Sequence, residues 1–278
     1  MCSSDLYLEA VGRELAVMGH DVIVVAPSIG LPDRLRELGM EPATSFDGVP
    51  EPDGIIAMLD FSAYAARAAF PDAPMIAVSH GPIFPQDVPP AGVGLIAAVA
   101  MGDTALNRLQ ASPLAEEGVR IERLSQPADY RLQPPLGGLP EVPRTAVVVS
   151  HRTGAWQEDV RVAMREAGID LVVAGGSHHT DDVFEHIEMA DIVVGVGRVI
   201  LEGMVAGRAC LVLDEHLSGG WLNAGTHAAL EAENFTVGPA VLSTPERLVA
   251  ELREYHPRLG VDAMRLARQR SEEHTSEL

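Results

Sequence analysis

Lysine is absent from this chain of 278 residues, whose 20 basic side chains are therefore all arginines facing 40 Asp and Glu, for a formal charge of −20. The absence removes two chemistries at once, the pyridoxal Schiff base and the phosphate-binding lysine of a Walker A loop. An anion held here must be met by arginine, histidine, backbone N–H groups or helix N-termini. The acidic balance also argues against nucleic acid as a partner, because phosphate neutralisation needs concentrated Lys and Arg.

Cysteine is nearly as scarce. Cys2 and Cys210 are too few for a disulfide framework, and Cys210 sits in an apolar run where a buried thiol is the usual reading. A reducing, cytoplasmic compartment is expected. Long apolar runs are missing too. The longest mainly apolar stretch, 93–101, is far short of the ~20 residues that a spanning helix needs. Nothing at the N-terminus reads as a signal peptide. Peripheral contact with a membrane is left open by composition.

The two ends call for separate treatment. "MCSSDL" and "RSEEHTSEL" resemble in-frame translations of a sequencing adapter, so residues 1–6 and 270–278 are expected to be non-native tails. On that reading the natural protein began upstream of Tyr7.

Between the ends, short apolar strands alternate with amphipathic helices. Residues 7–18 carry apolar positions at helical spacing and stop at Gly19, before the β-branched run "DVIVVA" (21–26). Further strands are predicted at 54–59, 75–80 and 94–100, with helices at 32–38, 61–70 and 104–110. A stretch crowded with Pro and Gly follows at 125–145 and reads as a linker. The alternation restarts with strands at 145–151, 169–176, 191–197 and 209–214. Helices are predicted at 156–167, 181–189, 198–206 and 222–232, and at "STPERLVAELREY", where Ser243 or Thr244 caps a helix with Pro245 near its start.

Continuous rather than alternating apolar strands imply parallel sheets with helices on both faces. The predicted fold is α/β with two Rossmann-like lobes: 7–128, then a linker at 129–143, then 144–269. The first lobe opens on a helix, so its first strand is expected to be missing. Two such lobes place a ligand cleft at the carboxyl ends of the strands.

Several segments resemble the GT-B glycosyltransferases of families one and four. "GRELAVMGHDVIVVAP" (12–27) is similar to their first helix and second strand, and "VSHGP" (78–82) to a strand end carrying a His-Gly pair. "QPADYRLQPP" (126–135) resembles their crossover. "ADIVVGVGRVILEGMVAGRACLVLD" (190–214) resembles the donor-site signature, an Ala-Asp strand, a small-residue loop and a Leu-Glu-Ala-Met-like helix. The resemblance implies transfer of a sugar from a nucleotide diphosphate sugar to an acceptor hydroxyl. The donor is a substrate, and neither a cofactor nor a metal is expected.

The last segment also has a physical reading of its own. Gly195 and Gly197 allow close backbone approach where a strand ends, and the helix starting near Arg198 aims free N–H groups and a positive dipole end at the same spot. Arg198 adds a charge-assisted contact to a diphosphate. Glu202 has two readings, a helix former on an ordinary strand-turn-helix unit or, as the resemblance implies, the carboxylate that holds the ribose. Gly207 reads as the residue that ends this helix. Family-four enzymes carry a second, sugar-contacting glutamate eight positions earlier, where this chain has Val194.

The remaining candidates are individually weaker. Arg152 in "SHRTGAW" (150–156) stands where the resemblance implies a basic clamp on the diphosphate, with a surface arginine as the competing reading. In "DEHLSGGWLNAGT" (214–226), Gly219 and Gly220 would turn amides toward the donor and Trp221 would cover it, unless Trp221 folds back onto the core. His80 is the expected hydrogen-bonding group or general base of the first lobe, with Asp87 as the alternative and a structural histidine as the plain reading. "SHHTDD" (177–182) is read as a helix cap rather than a metal site, since no second cluster completes a ligand set. A non-hydrolysing nucleotide-sugar epimerase and a non-catalytic nucleotide-sugar-binding protein are the alternatives.

Overall fold

A computed structural model describes residues 3–30, 32–81, 84–128, 134–150, 154–175, 183–215, 217–237 and 241–276. By internal contacts the chain divides into two compact units, Ser4–Pro127 and Ala128–Leu278.

The first unit opens with α1 (Ser3–Val17), which ends in a glycine turn. Gly19 takes φ +91 and the next amide, His20, donates back to the Leu15 carbonyl at 3.0 Å. β1 (Val22–Val25), α2 (Pro32–Glu37) and β2 (Met40–Ala43) follow, and the two strands pair in parallel with Val22 opposite Met40. A separate parallel sheet has the order β3 (Ile55–Ala57), β4 (Met75–Ser79), β5 (Ala97–Ala100), β6 (Arg120–Arg123). α3 (Asp60–Ala69) and α4 (Asp103–Gln110) cover it mostly with small side chains: Ala63, Ala66 and Ala105, with Leu109, join Met75, Ala77 and Ala98 in one core. A short helix, α5 (Pro113–Glu116), leads into β6. α1 contributes to both sheets, Tyr7 packing with Val78 and Met101 and Leu8 with Val24 and Leu35.

The second unit carries one six-stranded sheet, in the order β12 (Val241–Leu242), β11 (Leu217–Trp221), β10 (Ala209–Asp214), β9 (Ile192–Gly195), β7 (Thr145–Val149), β8 (Asp170–Ala174). Successive residues of its central strands point to opposite faces. Val147, Val193, Cys210 and Val212 meet α8 (Arg198–Val205) and α11 (Arg258–Ser276) on one face. Val148, Val194, Leu211 and Leu213 meet α6 (Ala155–Glu166) and α10 (Pro245–Leu252) on the other. α7 (Val183–Met189) and α9 (His227–Ala232) complete the unit. The chain thus forms parallel sheets flanked by helices, as the apolar strand runs predicted.

Three departures have local causes. Residues 217–221, expected as a loop, form β11, antiparallel to β10, with the register shift between Val212 and Leu213 absorbed at the glycines. Residues 222–226, expected as helix, form a turn in which the Asn223 side chain accepts from the amides of Gly225 and Thr226 at 2.8 and 3.2 Å, an arrangement that competes with helix formation. The Pro-rich segment after residue 133 is packed rather than free: Leu139 is buried, and the Pro140 carbonyl accepts from the Tyr255 hydroxyl at 2.9 Å.

α8 lies close to the sheet because Gly203 has no side chain. A Cβ there would stand 2.8 Å from Cys210 Sγ and 3.1 Å from Val193 Cβ. Gly203→Ala is expected to lower unfolding free energy by about 1–3 kcal/mol through overpacking. Urea denaturation reads the loss, and the double variant with Cys210→Ala is expected to recover most of it.

Candidate functional site

The second unit offers a site where β7 and β9 end. The two strands run side by side in parallel, with Val148 opposite Val194. From β7 the chain passes out to β8 on one side, and from β9 it turns to β10 on the other. Strand ends whose connections diverge leave the crevice in which open α/β sheets hold ligands. α6 and α8 begin there, from opposite faces of the sheet.

The two glycines have separable roles. A Cβ on Gly195 would lie 3.1 Å from Val199 Cγ1 and 3.2 Å from the Val149 carbonyl, so this glycine lets the first turn of α8 close against the strand ends. The sequence assigned it to ligand approach; packing requires a glycine here as well. Gly197 takes φ 61 and ψ −126, a conformation open essentially to glycine. Its N–H donates to the Phe235 carbonyl at 2.8 Å. By helix geometry, the amides left for a ligand are those of Arg198 and Val199.

Arg198 and Glu202 pair with each other. One turn apart on α8, they are joined by Nε to Oε1 at 2.8 Å, with 2% and 0% of their side chains exposed. The sequence placed both on a ligand-facing surface, but the structure encloses them and makes the guanidinium the visible partner of the carboxylate. Arg198 retains one unmet group: its Nη1 is buried and has no hydrogen-bond acceptor among the described residues.

The other second-unit candidates divide. Trp221 lies in the core, 5% exposed, its indole N–H donating to the Glu251 carbonyl at 2.7 Å. The folded-back reading therefore replaces that of a cover over the donor. Gly219 admits Leu230 and Val212, each within 3.1 Å of where its Cβ would be. The Gly220 amide donates to Ser218 Oγ at 3.1 Å. β11 thus uses both glycines internally. Val194 is fully buried between Val148 and Leu211, so the position that carries a glutamate in family-four enzymes is a core position here. Arg152, His151 and the "SHHTDD" segment lie outside the described residues.

In the first unit, Asp87 lies near the residue that follows His80. His80 follows β4 directly, and its ring meets the edge of Tyr7 with centroids 5.0 Å apart. A Cβ on the next residue, Gly81, would be 3.8 Å from Asp87 Oδ2. Burial pushes the His80 imidazole down to about 4, which keeps it neutral near pH 7, and its Nε2 has no hydrogen-bond partner among the described residues. Burial also raises the Asp87 carboxyl, while Arg108 opposes the rise. The ring therefore offers a neutral nitrogen, but a pKa pushed down to about 4 makes it a weak proton acceptor near pH 7. Tyr7 and Arg108 were not anticipated: an aromatic at helical spacing and a helix arginine carry no signal of their own.

Among the described residues, no group of three or more His, Cys, Asp and Glu is placed to hold a metal ion, and no helix is long and apolar enough to cross a membrane. No protein-family model matches the chain, and no curated protein is similar to it in sequence. Solved structures do match its fold. One described as a UDP-N-acetylglucosamine 2-epimerase from Listeria monocytogenes is 15% identical, covers 95% of this chain and 88% of its own, and superposes with a TM-score of 0.56. A glycosyltransferase from Rickettsia africae is 12% identical over 97% and 93% of the two chains, with a TM-score of 0.49. A glycosyltransferase from Streptomyces nogalater is 15% identical over 95% of each, with a TM-score of 0.38. The chain has the GT-B-like fold of two Rossmann-like α/β units.

Burial of His80 and of the Arg198–Glu202 pair has measurable consequences for stability. The unfolded chain takes up a proton on His80 near its ordinary 6.5 and the folded chain only near 4, so stability falls as pH drops through that window. At pH 5 the cost is about 2 kcal/mol relative to pH 7. Denaturant titrations of wild type and His80→Gln should converge by about that amount between the two pH values. Glu202→Ala strands a buried guanidinium and is expected to lower stability by about 3–5 kcal/mol, read as a shift in the urea midpoint.

Proposed function

We propose that the protein is a nucleotide-sugar-dependent glycosyltransferase whose second unit holds the donor diphosphate where β7 and β9 end. The observation that carries the reading is the start of α8 at that switch point. There a turn open essentially to glycine leads into the first amides of α8 and a buried arginine whose Nη1 has no acceptor among the described residues. With no lysine in the chain, these are the groups that negative charge would meet. The GT-B-like fold and the donor-site resemblance of residues 190–214 support the same assignment.

In this account the bond between the anomeric carbon and the diphosphate oxygen breaks as a bond to the acceptor oxygen forms. The helix N-terminus, Arg198 and Arg152 stabilise the departing negative charge. His80 and Asp87 are the first unit's candidates for taking the acceptor hydroxyl proton. Glu202 fixes Arg198 in place, so its effect on binding is exerted through the guanidinium as well as on any ribose hydroxyl it reaches.

Calorimetry with uridine, guanosine and thymidine diphosphates and their sugar conjugates tests the reading. The expected result is micromolar binding of one nucleotide series and sugar transfer to an acceptor hydroxyl. Absence of binding across all three series would contradict it, and an epimerised donor formed without acceptor would identify an epimerase instead. Glu202→Gln separates the two roles of the carboxylate. Loss of affinity for the nucleotide alone marks ribose contact, whereas equal loss for inorganic pyrophosphate marks action through Arg198.

A further inference from the structure

A second unmet donor flanks the same strand ends. Trp156, in the first turn of α6, is 4% exposed and packs in the core with Val148 and Val160, yet its indole Nε1 has no acceptor among the described residues. Buried indole N–H groups normally find a partner. Gly154 shows where this one lies. A Cβ on that residue would stand 3.2 Å from Trp156 Cδ1 and 3.7 Å from Nε1, so the pyrrole edge of the ring rests against the N-cap of α6. That N-cap is a glycine, which has no side chain to cap the helix, and the helix runs 12 residues. Across the β7–β9 seam, α8 begins with Arg198, whose Nη1 has no acceptor among the described residues.

We propose that Trp156 is an anion-binding residue, its indole N–H and the Nη1 of Arg198 receiving one diphosphate from the two sides of the β7–β9 switch point. The proposal deepens the glycosyltransferase reading and rests on the second unit binding a diphosphate. It also supplies a donor of fixed geometry in a chain without lysine. Because the N–H belongs to a ring locked in the core, it is aimed before the ligand arrives.

Trp156→Phe keeps a ring in the core and removes only the donor. The urea midpoint is expected to stay or rise, since a buried donor without an acceptor is lost. Affinity for inorganic pyrophosphate, measured by calorimetry, is expected to fall about tenfold. In the wild-type chain, the Trp156 indole N–H resonance, identified by its absence from the variant, is expected to move downfield on titration with pyrophosphate. Unchanged pyrophosphate affinity in Trp156→Phe, or an indole resonance that does not move, overturns the proposal. Wild-type binding of a nucleotide sugar with no effect of Trp156→Phe would leave the glycosyltransferase reading standing and remove this one. Binding of pyrophosphate through Trp156 with no nucleotide bound would do the reverse.

Discussion

Arg198 and Glu202 are enclosed together one turn apart at the start of α8, and the energetics of that enclosure govern the site around them. Removing two opposite charges from water costs several kcal/mol per ion, which their attraction offsets only with close geometry and further hydrogen bonds. The Nε–Oε1 contact of 2.8 Å supplies the geometry. Among the described residues Nη1 has no acceptor, so the hydrogen bonding they provide is incomplete on the arginine side. An incompletely satisfied buried cation is a poor device for stability and a good one for meeting an anion. The chain has no lysine to do that work elsewhere.

The rest of the second unit explains how such a pair is tolerated. Every side chain of α8 is buried, between the sheet on one side and α11 on the other. This close fit depends on missing side chains: Gly195 lets the first turn approach Val149, and Gly203 lets the middle of the helix approach Val193 and Cys210. The glycines that resemble a ligand-binding loop in sequence are thus partly packing devices. Only Gly197, with its positive φ, shapes the turn that exposes the helix amides.

Much of the fold was legible because central strands advertise themselves. "DVIVVA", "MIAVSH", "TAVVVSH" and "ACLVLD" are short apolar runs bounded by turn residues, and each contains an observed strand. The strands that were missed lie at edges or carry glycine. Met40–Ala43 contains Pro42, which an edge strand accommodates because one row of its backbone groups is unpaired. Arg120–Arg123 is an edge strand of mostly charged residues. Leu217–Trp221 reads as loop because Gly219 and Gly220 hide its pairing with β10. For the candidate site, the sequence singled out the α8 turn and the residues His80 and Asp87. It did not show that Arg198 and Glu202 bond each other or that Trp221 belongs to the core. Those facts depend on which face of a helix or strand is covered, and no local pattern records that.

The first unit applies the same physics with the opposite outcome. Burial there pushes both His80 and Asp87 toward their neutral forms and leaves an imidazole nitrogen without a partner among the described residues, a state that disfavours holding an anion. The central claim, however, concerns the second unit, and nitrogen–proton chemical-shift mapping during titration with uridine, guanosine and thymidine diphosphates tests it most directly. The account predicts that one of them moves the backbone resonances of Gly197, Arg198 and Val199 together with those at the start of α6. Shifts confined to other strand ends, or none with any of the three, would contradict it.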